Sequence, residues 1–202
     1  HRPSGLGNSD HPMRRMTRRV AGLEPGEWDR EATGLVVETF DGLAPAWHTR
    51  ISPERTAVVE DALVRGLDPL IGSRELCVEV GSGLGTYTGL LAQRLRTVLA
   101  VELSWEMLRR AGRAGHRVHA DAGRLPVRDG SADVVVAINA FLFPSEVRRV
   151  LGPSGILVWV NSSGEETPIH LTTDEVARSL DLDLDGYQSR AGAGTWAALR
   201  RL

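Results

Sequence analysis

Short apolar runs alternate with amphipathic segments through the middle of the chain. Runs that are apolar at nearly every position predict strands buried on both faces, because a half-exposed strand would alternate with polar residues. Segments with apolar residues three or four positions apart predict helices. Strands are predicted near 75–80, 98–101, 117–120, 133–138 and 156–160, and helices at 86–95, 104–111, 145–151 and 173–180. This order is typical of a parallel sheet covered by helices on both sides.

The N-terminal part of the chain has a different pattern. Residues 1–30 are rich in Gly, Pro and Arg and show little periodicity, which predicts a flexible N-terminal arm. Residues 31–72 predict a helical segment, with one helix over 33–41 and a second that begins at Pro53 and ends at Gly66.

The C-terminal part predicts a hairpin. Tyr187–Arg190 and Thr195–Leu199 are separated by Ala-Gly-Ala-Gly, which suits a turn between antiparallel strands. We therefore expect an α/β fold: a Rossmann-like, doubly wound, mostly parallel seven-stranded sheet that ends in an antiparallel hairpin. Residues 31–202 would form a single domain, a size that can bury a substantial core.

Composition narrows the compartment and the partners only slightly. With 42% hydrophobic residues and a net charge of -2, the chain has no overall bias toward nucleic acid or membrane surfaces. No run approaches the roughly 18 uninterrupted apolar residues of a membrane-spanning helix. Cys77 is the only cysteine, which excludes an intrachain disulfide and fits a reducing cytosol. We therefore expect a cytoplasmic protein without a membrane partner.

The first predicted strand leads directly into a glycine-rich loop. The sequence Val-Glu-Val-Gly-Ser-Gly-Leu-Gly-Thr begins at Val78 and places glycines at Gly81, Gly83 and Gly85. Glycines at this point let the backbone approach a nucleotide-like ligand and adopt positive φ angles. A dinucleotide site wants a further glycine where this chain has Thr86, which argues against a pyrophosphate ligand.

Acidic residues follow the next two strands. Glu102 follows the second strand and suits the two hydroxyls of a ribose, which fits NAD equally well. Asp121 follows the third strand and could accept a hydrogen bond from the exocyclic amine of an adenine. Glu79, just before the glycines, could help to hold an ammonium group. Together they favour a ligand that combines adenosine with an amino acid.

Five motifs in this order resemble those of class I S-adenosylmethionine-dependent methyltransferases. They lie at 78–86, 100–108, 120–127, 131–136 and 147–157. The segment Phe40–His48 also resembles, over a shorter stretch, the ubiquinone and menaquinone C-methyltransferase branch. The resemblance covers roughly residues 75–160 and implies S-adenosyl-L-methionine as the cofactor.

For the methionine end of the cofactor, the resemblance implies a role for the whole glycine loop. Gly81, Gly83 and Gly85 would pass the methionine part, and Ser82 and Thr86 would supply polar contacts.

For the adenosine end, the resemblance places Glu102 at the ribose and Leu103 against the adenine. Asp121 and Ala122 would border the amine edge of the base. Asn139, just past the fourth strand, would lie near the transferable methyl group.

The acceptor side is less well specified. Trp47 and His48 are weak candidates for substrate contact, with His48 also the best candidate for a general base. His116 and His119 would point to opposite faces of a strand, so no metal site is expected. After Asn139 the chain reaches Pro144 almost at once, about two helical turns short of the family pattern, which predicts an open, shallow acceptor site.

The function that these observations favour is methyl transfer from S-adenosylmethionine to a small-molecule acceptor, with no nucleic-acid partner expected. Two other hypotheses about the function remain open. The fold could keep the cofactor pocket without catalysis, as a binding module or partner subunit. It could also methylate RNA, with the basic cluster at Arg14, Arg15, Arg18 and Arg19 as the contact surface.

Overall fold

Seven strands form one sheet in the computed structural model, which describes residues 11–73 and 75–202. The order across the sheet is β3-β2-β1-β4-β5-β7-β6. The strands are β1 (Leu76–Val80), β2 (Thr97–Glu102), β3 (His116–His119), β4 (Ala132–Ile138), β5 (Leu151–Asn161), β6 (Leu184–Ala191) and β7 (Gly194–Arg201). The first five run parallel, and β7 pairs antiparallel with both β5 and β6. The predicted fold class and the terminal hairpin are confirmed.

The centre of the sheet is buried on both faces, as its uninterrupted apolar runs predict. Val78, Val135 and Leu157 lie side by side in register and face one core cluster. Their neighbours Cys77 and Val134 face the other. Burying both faces requires helices on both sides.

Those helices connect the strands and precede them. They are α1 (Pro12–Val20), α2 (Arg30–Leu43), α3 (Pro53–Asp61), α4 (Asp68–Ile71), α5 (Thr88–Ala92), α6 (Trp105–Leu108), α7 (Pro144–Val150) and α8 (Thr173–Leu180). Short 3₁₀ helices lie at Ala44–Arg50, Ala122–Arg124 and Gly164–Glu166, and a π-helical turn spans Ala62–Leu67. None of the helices in residues 11–73 and 75–202 could span a lipid bilayer.

Part of the segment predicted as a flexible arm is an ordered helix. In α1, the His11 side chain accepts a hydrogen bond from the Met13 amide, and Pro12 occupies the first turn, which suits a helix start. Met13 and Met16 are buried against Phe141 and its neighbours. The prediction of a flexible arm does not hold for α1, because the arginines around Met13 and Met16 hide the apolar spacing of a helix. Residues 1–10 of the predicted arm lie outside the described residues.

The second helix of the N-terminal segment does not end at Gly66. It continues through the π-helical turn into α4 and ends at Gly72, where φ is +50°. A Cβ at Gly66 would lie 2.7 Å from the Trp196 ring. Gly66 therefore allows the helix to lie directly against the sheet, and its role is packing rather than termination.

Two connecting helices are shorter than the pattern predicts. The helix predicted over 86–95 is limited to α5 because a turn occupies 83–87. The helix predicted over 104–111 is limited to α6. After α6 the Gly112 amide bonds the Leu84 carbonyl at 3.0 Å, so the chain leaves the helix to brace the glycine loop.

Candidate cofactor site

A cavity opens at the carboxyl ends of the central strands, the usual ligand position in an α/β sheet. The space along its walls is about 1070 Å³, a volume that includes open solvent. The predicted site residues that line it are Glu79, Gly81, Ser82, Gly83, Thr86, Glu102, Leu103, Asp121, Ala122, Asn139 and Trp47. Gly85 and His48 do not line it. The fold thus brings residues from five separate segments to one surface.

The glycine loop leaves bare backbone along this cavity. Gly81, Gly83 and Gly85 have φ angles of 65°, 56° and 70°, a region that L side chains rarely adopt. A Cβ at Gly81 would lie 2.8 Å from the Ala140 Cβ. Gly85, although outside the lining, closes the turn by donating to the Ser82 carbonyl at 2.9 Å.

Ser82 adds a polar group that the protein itself does not satisfy. Its residue is 9% exposed, and its Oγ has no hydrogen-bond partner among the residues the structure describes. A buried hydroxyl without a partner is costly. In a cavity wall, such a group is positioned for a ligand.

Glu102 joins the end of β2 to the glycine loop. Its Oε2 accepts from the Gly83 amide at 2.8 Å, and its Oε1 accepts from the Ser104 amide at 2.7 Å. Burial raises the pKa of Glu102, although these amide hydrogen bonds oppose the shift. A carboxylate has about four acceptor positions, so Glu102 keeps capacity for a further donor.

Glu79 lies beneath the loop and is 2% exposed. Its Oε2 accepts a hydrogen bond of 2.5 Å from the Thr88 hydroxyl. Burial, helped by the nearby charge of Glu102, raises the pKa of Glu79 to about 7, against the lowering effect of Thr88. Glu79 is therefore poised between its neutral and ionised forms near physiological pH.

Asp121 is held by an unexpected partner. Its Oδ1 accepts from the Gly123 amide at 2.7 Å. The indole Nε1 of Trp28 donates to both carboxylate oxygens, at 3.0 and 2.9 Å. Trp28 belongs to the segment predicted as a flexible arm, yet it forms part of the cavity wall.

Asn139 lines the cavity, but its amide group is engaged elsewhere. Its Nδ2 donates to the Ser162 Oγ at 2.8 Å, and its Oδ1 accepts from the Ser162 amide at 2.9 Å. Its φ of 50° turns the chain sharply after β4. The side chain therefore fixes the end of β4 to the end of β5.

The N-terminal segment forms the mouth of the cavity. The Trp47 ring packs edge-on against Phe40, with centroids 5.7 Å apart, and the Arg50 guanidinium lies 5.5 Å from the Trp47 ring. Asp41, at the end of α2, accepts hydrogen bonds from the Ser104 hydroxyl and the Glu106 amide. These two hydrogen bonds tie the mouth to the segment that follows β2, the strand that ends at Glu102.

His48 is exposed and lies outside the cavity lining. The geometry therefore gives no support to its candidacy as a general base. Trp47, its neighbour, is the residue of the pair that reaches the cavity.

The expectation of an open, shallow site after Asn139 is wrong. Ala140 and Phe141 are buried, and Phe141 packs in a cluster with α1, α2 and Ile169. The N-terminal helices thus cover the surface that the short connection between β4 and α7 would otherwise leave exposed. The sequence signal was absent because the covering residues are more than a hundred positions away along the chain.

Two of the four arginines of the α1 cluster contact other parts of the protein. Arg14 donates to the Glu165 and Thr167 carbonyls, and Arg18 pairs with Glu24 and Glu175. Arg14 and Arg18 therefore fasten α1 to the rest of the fold and are not free contacts for a nucleic acid.

Sequence reasoning missed several cavity residues. They include Trp28, Arg55, Tyr87, Phe143 and Ile169. None belongs to a motif, and only the scarcity of aromatic residues in the chain could have drawn attention to Trp28 and Phe143. Within residues 11–73 and 75–202, no group of three or more His, Cys, Asp or Glu residues is placed to hold a metal ion.

A family model matches the central part of the chain. Residues 78–159 match the family model described as "Methyltransferase domain". This stretch runs from β1 to β5 and contains the glycine loop, Glu102, Asp121 and Asn139.

Similar curated proteins include two that are assigned to ribosomal RNA. A protein of Micromonospora griseorubida, named "Putative 23S rRNA (guanine-N(1)-)-methyltransferase", is 34% identical over 106 residues. The match covers 50% of this chain and 36% of that protein. The 23S rRNA (guanine(748)-N(1))-methyltransferase of Streptomyces fradiae is 30% identical, over 44% of this chain and 34% of that protein. The malonyl-[acyl-carrier protein] O-methyltransferase of Marinomonas sp. (strain MWYL1) is 33% identical, over 48% of this chain and 42% of that protein. The matches thus cover less than half the length of each relative.

Solved structures share the fold over about four fifths of the chain. DhpI in complex with S-adenosylhomocysteine has a TM-score of 0.64 at 19% identity, over 82% of this chain and 94% of that one. The methyltransferase bound to the Trm112 activator of Haloferax volcanii also has a TM-score of 0.64 at 16% identity. The match covers 80% of this chain and 96% of that one.

These comparisons correct one expectation and confirm another. Because two of the curated relatives carry names that specify 23S rRNA, the expectation of no nucleic-acid partner is wrong. The resemblance drawn from the ordered motifs is confirmed by the family match and by the shared fold. Residues 78–159 of this chain thus match a methyltransferase domain, and the chain shares its fold with DhpI, whose structure holds S-adenosylhomocysteine.

Proposed function

We propose that this chain binds S-adenosylmethionine in the described cavity and transfers its methyl group to an acceptor at the cavity mouth. The glycine loop carries the proposal: its bare backbone faces the cavity, and the buried Ser82 hydroxyl beside it lacks a partner among the described residues. A side chain at Gly81 would collide with Ala140, so the loop is shaped to stay open.

The residues present fit both ends of this cofactor. The remaining acceptor capacity of Glu102 suits a ribose hydroxyl, and Asp121 suits the amine of the adenine. Glu79 supports the ammonium end from beneath the loop. Leu103, which lines the cavity next to Glu102, supplies an apolar contact for the base.

The bound cofactor would supply a methyl group that is already electrophilic. The chain therefore has to align the acceptor and exclude water, which is mainly a proximity contribution. Phe40, Trp47 and Ile51 give the mouth apolar walls, and Arg50 and Arg55 add positive charge there.

The binding step can be tested by calorimetry with S-adenosylmethionine, S-adenosylhomocysteine and NAD. We expect the wild type to bind the first two and not NAD, and Asp121→Ala to weaken binding by tenfold or more, roughly one charged hydrogen bond. Asp185→Ala is the matched control, because Asp185 lies exposed on β6 and pairs only with Arg200 in the described contacts. Binding of NAD without S-adenosylhomocysteine would overturn the proposal.

We further propose that the acceptor is a base of RNA. Two curated relatives are assigned to guanine methylation in 23S rRNA. The mouth presents an aromatic ring with a guanidinium against it, at Trp47 and Arg50, and unstacked RNA bases are commonly held on aromatic and arginine side chains.

The acceptor can be tested with methyl-labelled cofactor. Ribosomal RNA transcripts, a malonyl-acyl carrier protein and a metabolite mixture would be offered separately. We expect label in RNA, lowered at least tenfold by Trp47→Ala, about the contribution of one stacked base. Label confined to the acyl carrier protein or the metabolites would reject the RNA acceptor. Intact cofactor binding without any label would favour a non-catalytic binding module.

A further inference from the structure

The indole of Trp28 occupies a defined place beside the cavity. Its Nε1 donates to both oxygens of Asp121, while the Gly123 amide donates to Oδ1 alone. Oδ1 therefore has two protein donors and Oδ2 has one. Since a carboxylate oxygen can accept two hydrogen bonds, Oδ2 is the oxygen that keeps capacity for a ligand.

The indole is held in this orientation by its surroundings. Its ring packs against Phe143, with centroids 5.2 Å apart, and against Phe141 at 5.9 Å. A Cβ at Gly123 would lie 2.8 Å from the Trp28 ring, so glycine at that position makes room for it. Asp29, the next residue, caps α2 by accepting from the Ala32 amide, which anchors the backbone beside the indole.

We propose that Trp28 is a positioning residue that holds Asp121 so that its one free acceptor site selects a 6-aminopurine. This inference rests on the proposed cofactor site. A 6-amino group donates to Oδ2, whereas the 6-oxo group of hypoxanthine would set two acceptor oxygens against each other. A site that is built to accept a hydrogen bond rejects the analogue that lacks the donor strongly, because a buried polar group is then left unpaired.

The fixed orientation of the carboxylate is what makes this selection strict. Without the indole, Asp121 would keep only the Gly123 amide as a described hydrogen-bond partner and could rotate toward water. The adenine end would then lose both a rigid acceptor and an aromatic wall contributed by Trp28.

The test compares S-adenosylhomocysteine with its 6-oxo analogue, S-inosylhomocysteine, by calorimetry. The variant Trp28→Phe keeps the ring and removes the donor. We expect it to weaken S-adenosylhomocysteine binding about tenfold and to change the binding of the 6-oxo analogue much less. The ratio of the two dissociation constants would then move closer to one. Trp28→His, which restores a ring N–H, should recover part of the discrimination.

Trp196→Phe is the matched control. It removes an indole hydrogen bond of the same kind, from Trp196 Nε1 to Asp61 at 2.7 Å, on a part of the fold outside this cavity. We expect both dissociation constants to stay near their wild-type values, within about twofold.

Each other result has a definite meaning. Unchanged or tighter S-adenosylhomocysteine binding by Trp28→Phe would overturn the inference, since Trp28 would then be indifferent or obstructive. Equal weakening of both ligands would also overturn it, because Trp28 would then act only through the fold. If the wild type binds neither ligand, the proposed cofactor site itself fails, and that outcome is distinct from the first two.

Discussion

At the scale of single residues, the two buried carboxyl groups make the stability of the protein depend on pH. The pKa of Glu79 is about 7 in the fold, against an ordinary value of 4.5. At a pH between these two pKa values, Glu79 keeps its proton in the folded protein and has lost it in the unfolded chain. The free energy of unfolding should therefore fall as the pH rises from 4.5 to 7, by up to about 3 kcal/mol, and level off above that range.

Urea unfolding measured between about pH 5 and 8 tests this dependence. Glu79→Gln removes the titrating group and should flatten most of the slope, leaving the part that belongs to Glu102, whose pKa is also raised. Glu38→Gln, an exposed position on α2, should leave the slope as it is. A wild-type protein that gains stability over this range would contradict the assignment.

Ser82 separates the requirements of stability from those of binding. Its hydroxyl lacks a partner among the described residues, so Ser82→Ala should leave the ligand-free protein as stable or raise its stability by about 1 kcal/mol. The same change should weaken S-adenosylhomocysteine binding about fivefold, because the ligand loses a hydrogen bond. Thermal unfolding and calorimetry on one sample measure both effects.

Ser104→Ala provides the contrast for Ser82→Ala. The Ser104 hydroxyl caps α6 by accepting from the Met107 amide at 3.1 Å and also donates to Asp41. Its removal should lower stability by about 1 kcal/mol. A destabilised Ser82→Ala with unchanged affinity would mean that this hydroxyl serves the fold and not a ligand.

At the scale of elements, the glycine loop tolerates no side chain at its first position. Gly81 has a φ of 65° and would place a Cβ 2.8 Å from that of Ala140. Gly81→Ala should lower the free energy of unfolding by about 1–2 kcal/mol and weaken S-adenosylhomocysteine binding by tenfold or more. Calorimetry and urea unfolding measure the two quantities.

Gly34→Ala is the control for the loop substitution. Gly34 lies inside α2, and a Cβ there meets nothing within 4 Å. Alanine is the better helix former, so stability should rise by about 0.5–1 kcal/mol with no change in affinity. If both alanine variants bind alike, the loop conformation is not what shapes the site.

The elements also show how far sequence alone predicts this fold. The strands follow from runs such as Val134–Ile138, where every position is buried, and their order brings the glycine loop, Glu102 and Asp121 together. Trp28 and the cover over Phe141 could not be predicted, because they depend on contacts between segments that are distant in sequence. The prediction that the helix ends at Gly66 is wrong for a related reason. Glycine is needed there to make room for Trp196, which lies far along the chain.

At the scale of the whole molecule, the N-terminal helices and the cofactor cavity form one packing unit. Met16 in α1 is 4% exposed and shares a cluster with Phe141, which lines the cavity and contacts Trp28. Loss of packing at Met16 should therefore reach the adenine end of the site. The match of residues 78–159 to a methyltransferase domain does not include this cover, although the cavity wall depends on it.

Met16→Ala and Leu180→Ala test this coupling as a pair. Each removes a buried apolar side chain from a helix, and each should lower the free energy of unfolding by about 2–4 kcal/mol. Leu180 lies in α8, in the core cluster that Val78 faces rather than in that of Met16, and outside the cavity lining. We expect only Met16→Ala to weaken S-adenosylhomocysteine binding, by about threefold or more at a temperature where both variants are folded. Equal affinities would show that α1 stabilises the fold without shaping the site, and equal losses would show that affinity follows global stability.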